Sequence, residues 1–582
     1  MKKSFFLLVS IAFIQLAKPN YAFAFLEEIP ENSKKTFIEL KKNIENLEKK
    51  NTTDLLNLAY LYDKNGDFEK SLYLANYLIS NNPNNSEANF LLGEIYFKKY
   101  NLLKAKEFFE KITFDKKEYN KAILRLLQIS IFLQKKDDAD KILEIGTKIN
   151  NEVFANLING IYNYSLFKND FNKAIFYFEK ALKKEPNNVD VLYYTALAYL
   201  TKDKRSEAKE LLNKIIKNDF YFYNAYSSLA FIEFLDKEVE NSIKNSKLSL
   251  SLNPYSMRAL INLGNGMTNK TYINLEKNID LKPNTEFFEA GIKANKLINE
   301  NKKDEALNII NDLVKKYPKN IHSYIHLCNI QSNLEDYENA IKNCGKAVNI
   351  SSDYGLANAL FSNTLKRYIK SQNKEIKTLN LDIYDYSKVD MESLKKVFIN
   401  YENLPQKYQK SLLYSIYPLR NYLSVLAKKG ATHYIIPDYE KLTDTDKTAY
   451  LKDQKTIDGR LWDDVKGMGG FDSATGIEDL EDSLYFDFNT LAHELTHQVH
   501  GYALDDDKIT KILELYENAK KRDKFLDYYS KTNEYEYFAQ GVEAYISVQG
   551  KKNPKSTAKN TPELLKEVDI DLYNFIKSIL DI

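Results

Sequence analysis

The residues of this chain best suited to chemistry lie in Leu491-Ala-His-Glu-Leu-Thr-His-Gln-Val-His500. His493 and His497 stand four positions apart, so on a helix they share one face, a turn from each other. Neutral imidazole nitrogens are good ligands for zinc. A glutamate between them, here Glu494, is placed to take a proton from a water that the metal polarises. The chain has 6 histidines in 582 residues, and His493, His497 and His500 are three of them. So sparse a residue type is rarely concentrated by chance. The expectation is a hydrolytic site for one Zn2+ with Glu494 as general base.

Two ligands do not close a zinc site, so a third must be found. The metzincin pattern would put a histidine at 503 and a methionine downstream. Position 503 is Ala503 and no methionine follows Met468, which excludes that class. His500 follows His497 by three residues, and three ligands from one helix would give poor tetrahedral geometry. It is expected beside the metal or facing the substrate. That leaves a carboxylate on a second helix, and the segment Thr532 to Tyr545 offers Glu534, Glu536 and Glu543. Glu536 has a competing structural explanation, because Asn533 as N-cap with a glutamate three residues on forms a capping box.

Several elements must position these groups. The spacing predicts a helix from about Asp487 to Tyr502, with Phe488, Leu491, Leu495, Val499 and Tyr502 as its buried stripe. From Ala431 the composition changes, and His433-Tyr-Ile-Ile436 and Ser483-Leu-Tyr-Phe-Asp-Phe488 read as strands. Asp458 to Gly476 is rich in glycine and holds Trp462, the single tryptophan. Gly467-x-Gly-Gly470 lacks the lysine and the spacing of a phosphate loop, so a bent strand or turn beside the site is expected.

Residues from roughly 429 to 550 resemble the catalytic domain of lethal-factor-like (anthrax-toxin-type) zinc metallopeptidases, and related secreted bacterial and fungal proteins. Three motifs carry the resemblance: Asp458-Gly-Arg-Leu-Trp-Asp-Asp-Val-Lys-Gly-Met-Gly-Gly470, His493-Glu-Leu-Thr-His-Gln-Val-His500 and Tyr529-Ser-Lys-Thr-Asn-Glu-Tyr-Glu-Tyr-Phe-Ala539. The resemblance implies that Glu536 is the third zinc ligand and that Tyr529 stabilises the oxyanion. It further implies a peptide bond as substrate, with Glu494 passing the water's proton to the leaving amine. The chain departs from the toxin at Gln540, where the toxin is acidic, and the toxin's other domains are not visible. Neither its target nor its toxicity carries over.

Upstream, a different pattern repeats about every 34 residues between Thr52 and Asp353. Leu58-Ala59, Leu92-Gly93, Thr195-Ala196 and Leu229-Ala230 recur in one slot. Gly66-Asp-Phe68, Asn169-Asp-Phe171 and Glu335-Asp-Tyr337 recur in a second, and Ala105, Ala174, Ala208, Ala306 and Ala340 in a third. Small residues at these positions let antiparallel helices approach. The pattern resembles tetratricopeptide repeats, about eight of them, an array type that implies a protein partner. Residues 257–286 break the phase, and Gly264 and Gly266 suggest an irregular insertion there. Cys328 and Cys344, the two cysteines, occupy facing slots of one repeat and are candidates for a disulfide.

Lys2-Lys3, the apolar run from Phe5 to Leu16 and Ala22-Phe-Ala24 read as an export signal, cut after Ala24. The mature protein is expected in a periplasm, at the cell surface or outside the cell, with no transmembrane segment. Lys plus Arg number 83 and Asp plus Glu 81, a balance that leaves no footprint for nucleic acid. With 18 glycines and 12 prolines, breakers are few and a mainly helical chain is expected. The expected organisation is a signal peptide at 1–24, a cap at 25–51 and a repeat array at 52–356. A helical connector at 357–428 and a metallopeptidase domain at 429–582 follow. The fold class is mainly α, a tetratricopeptide-repeat α-solenoid followed by an α+β zincin-like domain. The function expected is an exported zinc metallopeptidase with the array as docking surface. The rival is a non-catalytic repeat scaffold with a structural or vestigial zinc site. Hydrolysis of a cell-wall amide is a third reading, weakened because no wall-binding module is visible.

Overall fold

The computed structural model describes residues 51–275, 285–375, 379–456, 461–484, 488–527, 529–547 and 561–580. The signal at 1–24, nearly all of the cap at 25–51, and Asp458 to Arg460 of the glycine-rich motif lie outside the described residues. The chain packs as two units. One comprises Met1–Tyr272 and Tyr337–Lys374, the other Ile273–Asp336 and Glu375–Ile582. The boundary by packing differs from the boundary by pattern, since residues 273–336 read as part of the repeats.

In the first unit the chain runs as helix pairs: Thr52–Lys64 with Phe68–Asn81, Ser86–Lys98 with Leu102–Phe109, Tyr119–Phe132 with Lys136–Lys148, Glu152–Tyr164 with Phe171–Lys184, Val189–Leu200 with Arg205–Asn218, and Tyr223–Leu235 with Val239–Leu252. Asparagine or aspartate starts many of these helices; Asn51, Asn85, Asn101, Asn151, Asp170 and Asn188 each accept a backbone N–H in the first turn. Each turn inside a pair contains one residue in the left-handed region: Gly66, Tyr100, Gln134, Asn169, Asp203 and Lys237. These positions repeat the period of the sequence in backbone geometry. Small residues let the paired helices close. A β-carbon on Gly93 would stand 2.6 Å from the Phe109 ring, and one on Gly160 2.2 Å from the Phe178 ring.

The expected irregular insertion at 257–286 is not what the described part shows. Met257–Leu275 is one helix running through both glycines. Their lack of a side chain serves close approach: a β-carbon on Gly264 would meet the Gly355 carbonyl oxygen at 3.1 Å, and one on Gly266 would meet Ile243 at 2.8 Å. The last helix of this unit, Gly355–Ser371, returns to the early repeats. Just beyond it, the Gln372 side chain accepts from the Leu102 backbone N–H at 2.6 Å and donates to the Tyr100 carbonyl at 2.7 Å. Asn373 donates to the Leu133 carbonyl. Tyr255 stacks on Phe68 with centroids 5.9 Å apart and meets Phe361 edge-on at 5.9 Å.

The second unit contains helices Thr285–Asn299, Lys303–Lys316 and Ile321–Asn333, then a helical segment and a three-stranded sheet. The sheet order is β1 (Thr432–Ile436), β3 (Asp472–Gly476), β2 (Gly467–Met468). β1 pairs parallel with β3, and β2 antiparallel, which leaves β2 at an edge. The expected strand at 433–436 is present. The one at 483–488 is not seen in its described part: Ser483 closes the helix Ile477–Ser483, whose first turn carries Glu478 and Asp479. Helices Thr490–Tyr502 and Glu534–Ile546 pack on each other, and the first also packs on β3. Cys328 and Cys344 are not free thiols; both are disulfide-bonded. Among the described residues no helix is long and apolar enough to cross a membrane.

Candidate metal centre

The helix Thr490–Tyr502 begins where Asn489 accepts from the Ala492 N–H at 3.1 Å. Leu491, Leu495 and Val499 drive its inner stripe into the core. Phe488 and Tyr502, the expected ends of that stripe, are only half-buried. Gln498 fixes the helix to the sheet. Its amide nitrogen donates to the Thr432 and Phe471 carbonyls at 2.8 and 3.1 Å, so its oxygen faces His433 Nδ1 at 2.9 Å as acceptor. That assigns the proton of His433 to Nδ1 and leaves Nε2, 2.9 Å from the Thr475 hydroxyl, as acceptor. Burial drives the His433 pKa down to about 4, offset in part by Gln498.

On the opposite face three donor atoms converge. His493 Nε2 lies 3.1 Å from His497 Nε2 and 3.1 Å from Glu536 Oε2, and His497 Nε2 lies 3.5 Å from Glu536 Oε2. Ligands about 2.0–2.1 Å from a tetrahedral zinc stand about 3.3 Å from one another. The triangle therefore has the edge lengths and the N, N, O donor set of a zinc site. No other group of three His, Cys, Asp or Glu side chains among the described residues has this convergence. His493 Nδ1 has no hydrogen-bond partner among the described residues.

The three glutamates of the second helix are separated by this geometry. Asn533 caps the helix Glu534–Ile546 by accepting from the Glu536 N–H at 2.8 Å, half of a capping box. The Glu536 carboxylate does not complete the box; it faces the two histidines. Burial would raise its pKa, yet hydrogen bonds from His493 and His497 pull it down to about 2. Glu543 is buried and accepts from the Asn489 N–H at 3.0 Å, bracing the start of the histidine helix, and burial raises its carboxyl to about 8. Glu534 is the first residue of its helix and is not in the converging group.

Glu494 shares the face with the histidines but stays outside the triangle. A β-carbon on Gly467 would stand 3.0 Å from its Oε1, and one on Gly469 3.1 Å from its Oε2. The glycines of the β2 edge thus make room for this carboxylate, as the turn expected beside the site would. Burial raises the Glu494 pKa, with His493 and His497 opposing and Glu536 adding to the rise. For His497, burial lowers the pKa but the Glu536 hydrogen bond and the nearby carboxylates raise it overall. Tyr529 stands at the rim, 43 % exposed, its ring 6.4 Å from that of His493. His500 points away from the triangle into the second helix, 4.4 Å from the Tyr535 ring and 5.4 Å from that of Phe538. Burial and His497 bring its pKa down to about 4. Gln498, Thr475 and Glu543 as braces were not predicted; a single sequence carries no signal for contacts between distant segments.

Comparison with known proteins bears on the helix pairs. Three tetratricopeptide-repeat family models match, at residues 56–138, 168–229 and 321–354. The chain contains tetratricopeptide repeats and is mainly helical. Similar solved structures include the TPR protein YrrB, described as having an unusual peptide-binding site, at 21 % identity over 32 % of this chain and 95 % of its own, with a TM-score of 0.21. Others are a tetratricopeptide repeat protein from Parabacteroides merdae, at 17 % identity over 40 % and 90 % with a TM-score of 0.28, and the TPR domain of P58(IPK), at 15 % over 56 % and 93 % with 0.18. No curated protein matches the chain.

Proposed function

We propose that this chain is an exported, zinc-dependent metallopeptidase whose tetratricopeptide repeats dock a protein partner or substrate. The observation that carries the reading is a free carboxylate, Glu494, on the same helix face as a triangle of zinc-type donors it does not join. A purely structural site has no use for such a group. His493, His497 and Glu536 would hold the ion. When bound, Zn2+ supplies Lewis acidity, easing loss of a proton from water and polarising a carbonyl. Glu494 takes the proton of the attacking water and returns it to the leaving amine. Tyr529, at the rim beside His493, offers its hydroxyl to the developing oxyanion. The repeats offer an extended surface for peptides or proteins. The basic and apolar N-terminus supports export to a periplasm, the cell surface or the medium.

The second reading is a repeat scaffold with a structural or vestigial zinc site. The family models favour it, since all three fall on repeats. Metal analysis of the purified protein, with cleavage assays on casein-type proteins and on peptidoglycan, separates the readings. One zinc per chain and cleaved protein supports the peptidase. Cleaved peptidoglycan alone moves the substrate to wall amides. Bound zinc with no turnover of either supports the scaffold.

A further inference from the structure

The repeats of the first unit close on themselves. The turn of the first helix pair touches the end of the sixth: a β-carbon on Gly66 would stand 2.7 Å from the Ser251 carbonyl oxygen, and Lys64 lies over the Tyr221 ring at 5.3 Å. Polar side chains on the first helices of the pairs are bonded to one another. Lys98 pairs with Asp63, Arg125 with Glu94, and Gln128 donates to the Tyr194 hydroxyl. The row of groups that an extended peptide would read is therefore engaged within the unit.

A cavity of about 170 Å3 lies at the starts of three helices, Tyr119–Phe132, Glu152–Tyr164 and Val189–Leu200. A single water needs roughly 10–15 Å3 of such space, so this is more than a water site. Its floor is apolar: Leu124, Val153, Phe154 and Leu157 are each 8 % exposed or less. Asp190 lines it as well, and no hydrogen bond or ion pair holds its carboxylate among the described residues. Burial raises the Asp190 pKa; Arg125 and Lys121 oppose the rise, but only through space.

An acid in the first turn of a helix suits the helix dipole. A carboxylate withdrawn from water is nonetheless costly until a cation reaches it. The neighbouring cations are engaged elsewhere. Arg125 grips Glu94 and also donates to Gln128, while Lys180 and Lys184 lie 3.5 and 3.4 Å from Glu152. An apolar floor beside an unmatched carboxylate suits a long side chain with a methylene stem and a positive head.

We infer that this cavity is a docking pocket for one lysine or arginine side chain of a protein partner. The inference rests on the docking role proposed for the repeats and is independent of the zinc site. The stem lies on Leu124, Phe154 and Leu157, and the head pairs with Asp190. The partner engages the array by one inserted cation and not by a strand laid along the helices.

The test uses the full-length Glu494→Gln protein with Zn2+, so that bound peptides are not consumed. The probe is a phage library of random dodecapeptides; selected sequences are synthesised and their Kd is read by fluorescence polarisation. They should share a lysine or arginine, and replacing it with norleucine should weaken binding about tenfold or more. Asp190→Asn should weaken the same peptides by a similar factor, with helical circular dichroism unchanged. Lys121→Glu, at an exposed position, adds a second carboxylate and should tighten them about threefold or more. If Asp190→Asn alters the circular dichroism, Lys121→Glu decides alone. Selected peptides without a shared cation, or with Kd unmoved by both variants, overturn the inference and leave the docking role standing. Acidic peptides released by Lys121→Glu would make the cavity an anion site and overturn it as well. A library from which nothing is retained removes the docking role and the pocket together.

Discussion

All six histidines lie in the second unit and none in the first. The first unit instead buries fixed charges as pairs. Lys98 reaches both oxygens of Asp63 at 2.8 and 2.7 Å, and Arg125 grips Glu94 through two bonds of 2.6 and 3.0 Å. Burial acts to raise the Glu94 pKa, but Arg125 holds it below the usual range. The second unit buries imidazoles without a charged partner: His326 and His433 are both driven down by burial, to about 3 and about 4. One unit is polar in a way that ordinary pH does not alter. The other keeps its buried imidazoles neutral down into acid, and a neutral imidazole nitrogen is the form that can bind a metal.

The largest expected effect lies at the triangle. Glu536→Ala should lose zinc and activity together, whereas Glu494→Gln should keep zinc and lose turnover by on the order of 10²-fold or more. Elemental analysis beside a cleavage assay reads both. Zinc retained in Glu536→Ala but lost in Glu534→Ala or Glu543→Ala would reassign the ligand, and unchanged cleavage by Glu494→Gln would leave the scaffold reading.

Acid should separate the units next. His326 and His433 have folded pKa values below their unfolded 6.5, so the unfolded chain binds more protons. Their contribution is complete above pH 6.5 and is lost as pH falls towards 4, roughly 3 kcal/mol for His433 alone. Glu94 is also depressed, from 4.5, so its contribution fails only below that value. Trp462, the sole tryptophan, lies in the second unit. Its fluorescence should change at a higher pH than the bulk helical circular dichroism; coincident transitions would break the contrast.

Arg125→Ala should destabilise the first unit by about 2–4 kcal/mol, because Glu94 is left without its cation, and should leave zinc content unchanged. Chemical denaturation with metal analysis checks this. The smallest effects concern two glycines. Gly93→Ala presses on the Phe109 ring and should cost about 1–3 kcal/mol, while Gly501→Ala meets open space and should gain up to about 1 kcal/mol. Equal effects in thermal melts would erase the distinction between a packing glycine and an open one.

Much of this was legible where the information is local. The repeat period, the paired helices and the zinc-type spacing of His493 and His497 all follow from residues a few positions apart. The choice among Glu534, Glu536 and Glu543 did not, because it depends on which carboxylate reaches another helix; spacing left all three open, and only the family resemblance preferred Glu536. Gly264 and Gly266 were misread as breakers, since glycine marks irregular backbone and close approach alike. The residues 483–488 alternate like a strand, yet Ser483 ends a helix. The left-handed turn residues at Tyr100 and Gln134 went unseen because the chain uses neither glycine nor asparagine there.

The contacts of Gln372 and Asn373 with the second and third repeats have a consequence for how the protein is made. Residues 100–133 leave the ribosome some 240–270 positions before the side chains that complete them. At about 5–20 residues per second, the early repeats wait on the order of ten seconds or longer for their closing segment. The first unit is therefore non-contiguous in translation, interrupted by the 64 residues of Ile273–Asp336.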